Sequence, residues 1–307
     1  MSRLTFGRER SSRLIAWWPS VRDPREAAVI ATDAARVAAL ALAEDGVRDV
    51  TSEVTIAAGQ GGVAVIEVRA PLVVAGVPYA DAVVAACELP PVAWAARDGD
   101  ALEGGTILGT VEGPLRALLR AERPLLNLLQ RACGIATMTR QYADAVAGTA
   151  CRVLHTRKTT PGLRTFEVAA VLAGGGALHR LDLEHTVMVK DNHWQGLRAG
   201  GRALRDALAE AAAQGRTGLQ VEVESVDQLD EAVAAGATRL LIDNQTPGTV
   251  REWATRARQA RPGLEIEATG GITLATIRAY AEAGADFVST GALTHSVRSA
   301  DLGLEIR

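Results

Sequence analysis

Lysine is nearly absent from this 307-residue chain: of its 33 lysine and arginine residues, only Lys158 and Lys190 are lysines. A compositional drift toward arginine, of the kind codon usage produces, leaves lysine where arginine does not serve. Such a position wants a compact, strongly hydrated point charge with rotatable donors rather than a planar fork. Both survivors lie in motif-like runs, Thr156-Arg-Lys-Thr-Thr-Pro-Gly and Val189-Lys-Asp-Asn-His, so chance survival is the weaker explanation. Cysteine is also scarce. Cys87, Cys133 and Cys151 form no CxxC pair, which argues against a zinc site or a disulfide framework. No apolar run approaches a membrane span, and the first residues lack the order of a signal peptide, so a cytoplasmic protein is expected. The net charge of −3 provides no basic field for nucleic acid. Neither a Ser/His/Asp order nor HExxH is present, and no GxGxxG follows the first strand.

What is present is 48% apolar residues, enough for a substantial core in one or two domains. Residues 1–24 read as a polar, irregular extension containing Trp17 and Trp18. Helical spacing runs from Arg25 to Glu44. Short alternating runs follow at Val63–Val68, Leu72–Val74, Val92–Ala96 and Thr106–Val111, with a helix near Ala80–Leu89, which together predict an antiparallel sheet with helices on one face. The segment Arg97–Leu108 resembles the hammerhead turn of biotinyl and lipoyl carriers, but it has no lysine to carry the group. A long helix is expected over Leu115–Val146, with Pro124 marking a break or a new first turn.

Beyond it the pattern changes. Strands at Arg152–His155, Thr186–Val189, Leu219–Val223, Arg239–Ile242, Glu265–Ala268 and Asp286–Ser289 alternate with helices at Ala203–Ala213, Val226–Ala235, Pro247–Gln259 and Leu274–Ala283. That alternation predicts a parallel sheet. Each strand runs out into polar or glycine residues: Arg157 and Lys158, Lys190 to Asn192, Glu222 and Glu224, Asp243 and Asn244, Thr269 to Gly271, Thr290 and Gly291. In a (β/α) barrel those ends converge on one mouth, where catalysis occurs, and its last loops often hold phosphate. An open doubly wound sheet also gathers ligands at strand ends, but the missing GxGxxG favours the barrel.

Arg123, Arg157, Lys158, Arg180 and Lys190 lie in apolar or glycine-rich surroundings. Bringing several cations together is unfavourable unless an anion sits among them, and this set suits carboxylates and phosphates. The alternative is ion pairing with Glu222, Asp243 and their neighbours. Glu222 and Glu224 share one strand face, and with Asp243 they suit Mg²⁺ beside bound phosphate or a developing positive charge. His179, beside Arg180, is a candidate ligand contact; His155, His185, His193 and His295 read as structural. Gly174-Gly-Gly reads as a flexible loop after a helix.

From about Ala27 to the end, the chain resembles the nicotinate-nucleotide pyrophosphorylase (carboxylating) family, also called quinolinate phosphoribosyltransferase. The runs that carry the resemblance are Glu122-Arg-Pro-Leu-Leu-Asn-Leu-Leu-Gln, Gly134-Ile-Ala-Thr, Thr156-Arg-Lys-Thr-Thr-Pro-Gly-Leu-Arg, Gly174-Gly-Gly with His179-Arg, Lys190-Asp-Asn-His, Glu222-Val-Glu, Asp243-Asn, Thr269-Gly-Gly-Ile and Gly291-Ala-Leu-Thr-His. Their number and order make the match specific. The resemblance implies an N-terminal α/β sandwich over 25–125, completed by about 293–307, and an incomplete (β/α) TIM-like barrel over 126–292. It implies transfer of phosphoribosyl from phosphoribosyl pyrophosphate to quinolinate in de novo NAD biosynthesis, with loss of pyrophosphate and CO₂ and Mg²⁺ as cofactor. It also implies a homodimer, or a hexamer built from it, in which Arg123 reaches into the other subunit's site. Thr156, Arg157, Lys158, His179, Arg180 and Lys190 would hold the substrates, and Glu222 and Asp243 would face the ribose and Mg²⁺. Thr269, Gly270 and Gly271 with Thr290, Gly291 and Ala292 would cradle the 5′-phosphate. Two other readings stay open: a paralogue acting on another acid or nucleotide, as in a branch associated with molybdenum transport, and a non-catalytic binder of phosphoribosyl pyrophosphate.

Overall fold

The computed structural model describes residues 24–307; the extension expected over 1–24 falls almost wholly outside them. The chain divides into two compact units. The first takes in the residues up to Arg140, together with Thr159–Gly176 and Leu293–Arg307. The second is Gln141–Lys158 with Ala177–Ala292.

The first unit begins with helix α1 (Pro24–Glu44), whose buried Ala34, Val37, Ala38 and Leu42 follow the spacing of one helix face. Helix α2 (Val50–Thr55) is capped by Asp49, whose carboxylate accepts the Ser52 N–H at 3.0 Å. The strands are β1 (Gly61–Val68), β2 (Leu72–Val73), β3 (Ala93–Trp94), β4 (Ala101–Leu102) and β5 (Ile107–Pro114). They form an antiparallel sheet ordered β12-β1-β5-β3 and a separate β2-β4 pair, where β12 is the tail strand Leu302–Ile306. The central strand β1 places Ala64 and Ile66 at 0% exposure. Helix α3 (Val77–Ala86) follows Gly76, which adopts φ 91°; a side chain there would also meet Ala132 at 2.8 Å.

Helix α4 (Leu115–Ala145) corrects one expectation, because it runs unbroken with Pro124 inside it. Proline removes one ladder hydrogen bond, but Leu118, Ala121, Leu125, Leu126 and Leu129 keep one apolar stripe buried across it. Helix α5 (Arg164–Ala173) also belongs to the first unit and ends at the Gly174-Gly-Gly turn.

The second unit is a parallel sheet of six strands: β6 (Arg152–Leu154), β7 (Val187–Val189), β8 (Leu219–Val223), β9 (Arg239–Asp243), β10 (Glu265–Thr269) and β11 (Phe287–Ser289). Between them run α6 (Asp191–Ala199), α7 (Leu204–Ala213), α8 (Val226–Ala235), α9 (Pro247–Ala260) and α10 (Ile277–Glu282); the four-residue α11 (Ala292–His295) follows β11. The strand order is β6-β11-β10-β9-β8-β7, so the last strand pairs with the first and the sheet forms an incomplete barrel. Ala177 bridges to Leu154 on the other side of β6, and among the described residues the ring is open between Ala177 and β7. Val221, Val223, Leu240, Ile242, Ile266, Ala268 and Val288 are fully buried on the face away from the barrel interior. Their alternate neighbours, several of them charged, therefore point inward. No described helix is long and apolar enough to cross a membrane.

Candidate active site

A cavity of about 740 Å³ opens at the carboxyl ends of the barrel strands. Its lining follows strand parity: His155 and Arg157 continue β6, Met188 and Lys190 come from β7, Glu222 and Glu224 from β8, and Leu241 and Asp243 from β9. Glu267 and Thr269 come from β10 and Ser289 from β11. The period of two thus gathers distant residues on one wall. Thr156, Lys158, His179, Arg180, Asn244, Gly270 and Gly271 join the lining from the loops after the strands.

Taken round the ring, charge is segregated. Arg157 and Lys158 after β6, Arg180 after the Ala177 bridge, and Lys190 after β7 form a cationic arc. Glu222 on β8, Glu224 just after it and Asp243 on β9 form an acidic arc, and the Thr269-Gly-Gly turn follows on β10. The two arcs meet where Lys190 Nζ donates to Glu222 Oε2. Ion pairing, the structural alternative for the basic set, is realised at that point. Glu222 is 7% exposed, and its backbone carbonyl accepts Trp194 Nε1–H at 2.8 Å. Lys190 also opens helix α6, its backbone N–H donating to His193 Nδ1 at 3.1 Å, so His193 is structural.

Like charges strain both arcs. Burial, then the neighbouring Arg157, pull the Arg180 guanidinium below its ordinary value, and Arg157 Nε is buried without a hydrogen-bond partner. A ligand oxygen would satisfy that donor and screen the pair. Burial and then Glu222 push the Asp243 carboxyl up, with Lys190 opposing them; a divalent cation would relieve that crowding. No group of three His, Cys, Asp or Glu able to hold a metal occurs among the described residues. Glu222 and Asp243 could hold a divalent cation only with water or ligand oxygens completing its shell.

The glycine turn is fixed by backbone geometry. Gly270 has φ 83°, and a Cβ there would sit 2.3 Å from Asn244 Oδ1, so only glycine fits. Thr290 is buried, its hydroxyl donating to Ile272 O at 3.3 Å and accepting from Ala292 N at 3.3 Å. Thr290, Gly291 and Ala292 are not among the cavity's lining residues. Arg123 belongs to the first unit, on α4, with a side chain 59% exposed.

Sequence reasoning passed over Glu267, Arg239 and Ser289. Glu267 lies two residues before Thr269 in Glu265-Ile-Glu-Ala-Thr, so alternation put it on the cavity face. His155, read as structural, is fully buried yet borders the cavity. Glu267 is fully buried too, and its Oε2 is 3.2 Å from both His179 Nε2 and Arg239 Nη1. Burial alone would raise the carboxyl, but the neighbouring His179 and Arg239 outweigh it and lower it from 4.5 to about 2. A depressed carboxyl stabilises the fold above its unfolded value and loses that contribution as pH falls through the folded one. The wild type should therefore lose about 3 kcal/mol between pH 4.5 and about 2 that Glu267→Gln does not lose. Denaturant titrations at stepped pH measure this, and superimposable acid limbs would contradict it.

Comparison with known proteins agrees over almost the whole described chain. Residues 135–305 match the model of the quinolinate phosphoribosyl transferase C-terminal domain, and residues 49–133 that of the N-terminal domain. The chain is 40% identical over 262 residues to the nicotinate-nucleotide pyrophosphorylase [carboxylating] of Mycobacterium leprae, covering 84% of this chain and 91% of that protein. It is 43% identical over 211 residues to a probable nicotinate-nucleotide pyrophosphorylase [carboxylating] of Bacillus subtilis, covering 68% and 71%. The solved nicotinate-nucleotide pyrophosphorylase of Francisella tularensis superposes with a TM-score of 0.82 at 27% identity, covering 90% of this chain and 97% of that one. The barrel, the segregated charges at its mouth and these matches lead to one conclusion: the chain belongs to the quinolinate phosphoribosyl transferase family.

Proposed function

We propose that this chain transfers the phosphoribosyl group of phosphoribosyl pyrophosphate to the ring nitrogen of quinolinate, releasing pyrophosphate and CO₂ and forming nicotinate mononucleotide for NAD biosynthesis in the cytoplasm. The observation that carries the reading is the order of charge round the barrel mouth. The cationic arc of Arg157, Lys158, Arg180 and Lys190 suits a planar dicarboxylate, which guanidinium forks grip in their own plane. Next to it, the acidic arc suits a ribose ring that becomes cationic. As the C1′–oxygen bond to pyrophosphate lengthens, positive charge grows on the ribose, and Glu222 and Asp243 lie where they stabilise it. Thr156 and Lys158 face the leaving phosphates, and the Thr269-Gly-Gly turn offers bare backbone N–H groups to the 5′-phosphate. Mg²⁺, held by Glu222 and Asp243 in part through water, would neutralise the departing pyrophosphate.

Once the ring nitrogen is alkylated, the pyridinium withdraws electrons. The bond between the ring and its 2-carboxylate then breaks, CO₂ leaves, and the electron pair stays on the ring carbon until a proton replaces it. The protein's part is orientation and exclusion of water. Purified protein supplied with Mg²⁺ and phosphoribosyl pyrophosphate should release pyrophosphate with quinolinate and not with nicotinate. Turnover of nicotinate instead would favour the paralogue reading.

The site is completed in a homodimer by Arg123 of the partner subunit; its exposure on α4 supports this. Mixing Arg123→Ala with Lys158→Ala subunits should then restore about a quarter of wild-type activity in a random mixture and about a half in pure heterodimers, since one of the two sites regains both residues. Heterodimers verified by mass that stay inactive would exclude a shared site.

A further inference from the structure

Every histidine nitrogen is a donor or an acceptor according to where its proton sits, and at His179 the contacts decide this. The Arg180 backbone N–H donates to Nδ1 at 2.7 Å, so Nδ1 presents a lone pair. The ring's proton is then on Nε2, 3.2 Å from Glu267 Oε2. Both nitrogens thereby have a partner within the protein, while the ring also borders the cavity. The His179 side chain is 8% exposed.

Glu267 is held in turn from beneath. Arg239, at the start of β9, pairs with Glu267 at 3.2 Å and with Glu265 at 2.8 Å. Its guanidinium lies 4.0 Å over the Phe287 ring. A chain of contacts thus climbs from Arg239 in the barrel interior through Glu267 and His179 to the Arg180 main chain at the cavity mouth. An uncompensated carboxylate at 0% exposure would be strongly unfavourable, so Glu267 needs both partners, and that need fixes the imidazole's place and tautomer.

We infer that Glu267 is a positioning residue: it holds His179 as the Nε2–H tautomer, and His179 in turn anchors the Arg180 backbone so that its guanidinium meets the substrate's carboxylates. The inference rests on the proposed role of Arg180 as a grip for quinolinate, although its first link is open to test without any substrate. Glu267→Gln keeps the shape but lets an amide N–H face Nε2, which admits the Nδ1–H tautomer and sets two N–H groups against each other at Arg180.

The experiment is nitrogen-15 NMR of histidine-labelled protein, in which only five imidazoles need assigning, combined with steady-state kinetics. The wild type should show His179 with a bare Nδ1 and a protonated Nε2 at neutral pH. In Glu267→Gln the protonated position should move wholly or partly to Nδ1. The KM for quinolinate should rise on the order of tenfold, while that for phosphoribosyl pyrophosphate changes much less. If the single variant does not fold, Arg239→Gln with Glu267→Gln removes the charge pair together and takes the same two readouts. A wild-type Nδ1–H tautomer overturns the inference, as does a Glu267 variant with unchanged tautomer and unchanged quinolinate KM. Should the wild type not turn over quinolinate at all, the proposed function falls, while the tautomer spectrum still judges the Glu267 link by itself.

Discussion

Lys190→Arg and Lys158→Arg are each expected to lower kcat/KM on the order of a hundredfold. Arg97→Lys, at a side chain 89% exposed, should leave it unchanged. Lys190 Nζ sits at the junction of the two arcs, bonded to Glu222 and bordering the same cavity. An ammonium places its charge at one point and turns three donors freely. A guanidinium is longer and planar, and its fork would push into the space for the ligand or pull Glu222 out of line. Loss of one well-placed charge-assisted contact amounts to about 2–3 kcal/mol, which is roughly a hundredfold in rate. In a chain where every other basic side chain is arginine, both replacements follow the compositional drift, so full activity in both would remove the significance of the two lysines.

Glu222→Gln should lower kcat by roughly a thousandfold, the upper range for removing one preorganised electrostatic stabiliser, with little change in quinolinate KM. The substitution does two things at once: it removes negative charge facing the ribose, and it releases Lys190 Nζ from its partner. A second readout separates this from general damage. Glu222 is one of the groups that push Asp243 up, so its neutralisation lets the Asp243 carboxyl ionise at lower pH. The acid limb of the residual activity should therefore move to lower pH. A limb that stays in place would show that the two carboxylates do not share a site.

Most of the barrel was legible because its strands are short apolar runs that end in charge. The bounds Leu219–Val223 and Val226–Ala235 match the expected ones: Val-Glu-Val-Glu alternates cleanly, and Ser225 caps the helix after it. The pairing of Phe287 with Arg152, which sets the last strand of the sheet beside the first, is the contact the local pattern could not give. What stayed hidden has physical reasons. Pro124 reads locally as a break, and only the buried stripe on both sides of it keeps α4 continuous. The Lys190-Asp-Asn-His run reads as chemistry, yet it is also the start of a helix in which His193 serves as a cap. Glu267 reads as one more strand carboxylate because its partners are far away along the chain, at His179 and Arg239. Local pattern announces where side chains point, whereas partnership across a barrel depends on the folded ring.

The central claim is that one cavity joins a dicarboxylate to a phosphoribosyl donor and that decarboxylation follows the transfer. The most direct test is a single-tube measurement on purified protein with Mg²⁺, phosphoribosyl pyrophosphate and quinolinate labelled at its 2-carboxylate. Labelled CO₂ and pyrophosphate should appear in equal amounts, each matching the quinolinate consumed. Binding of both substrates with neither product released, or pyrophosphate released with the label retained on the ring, would contradict it.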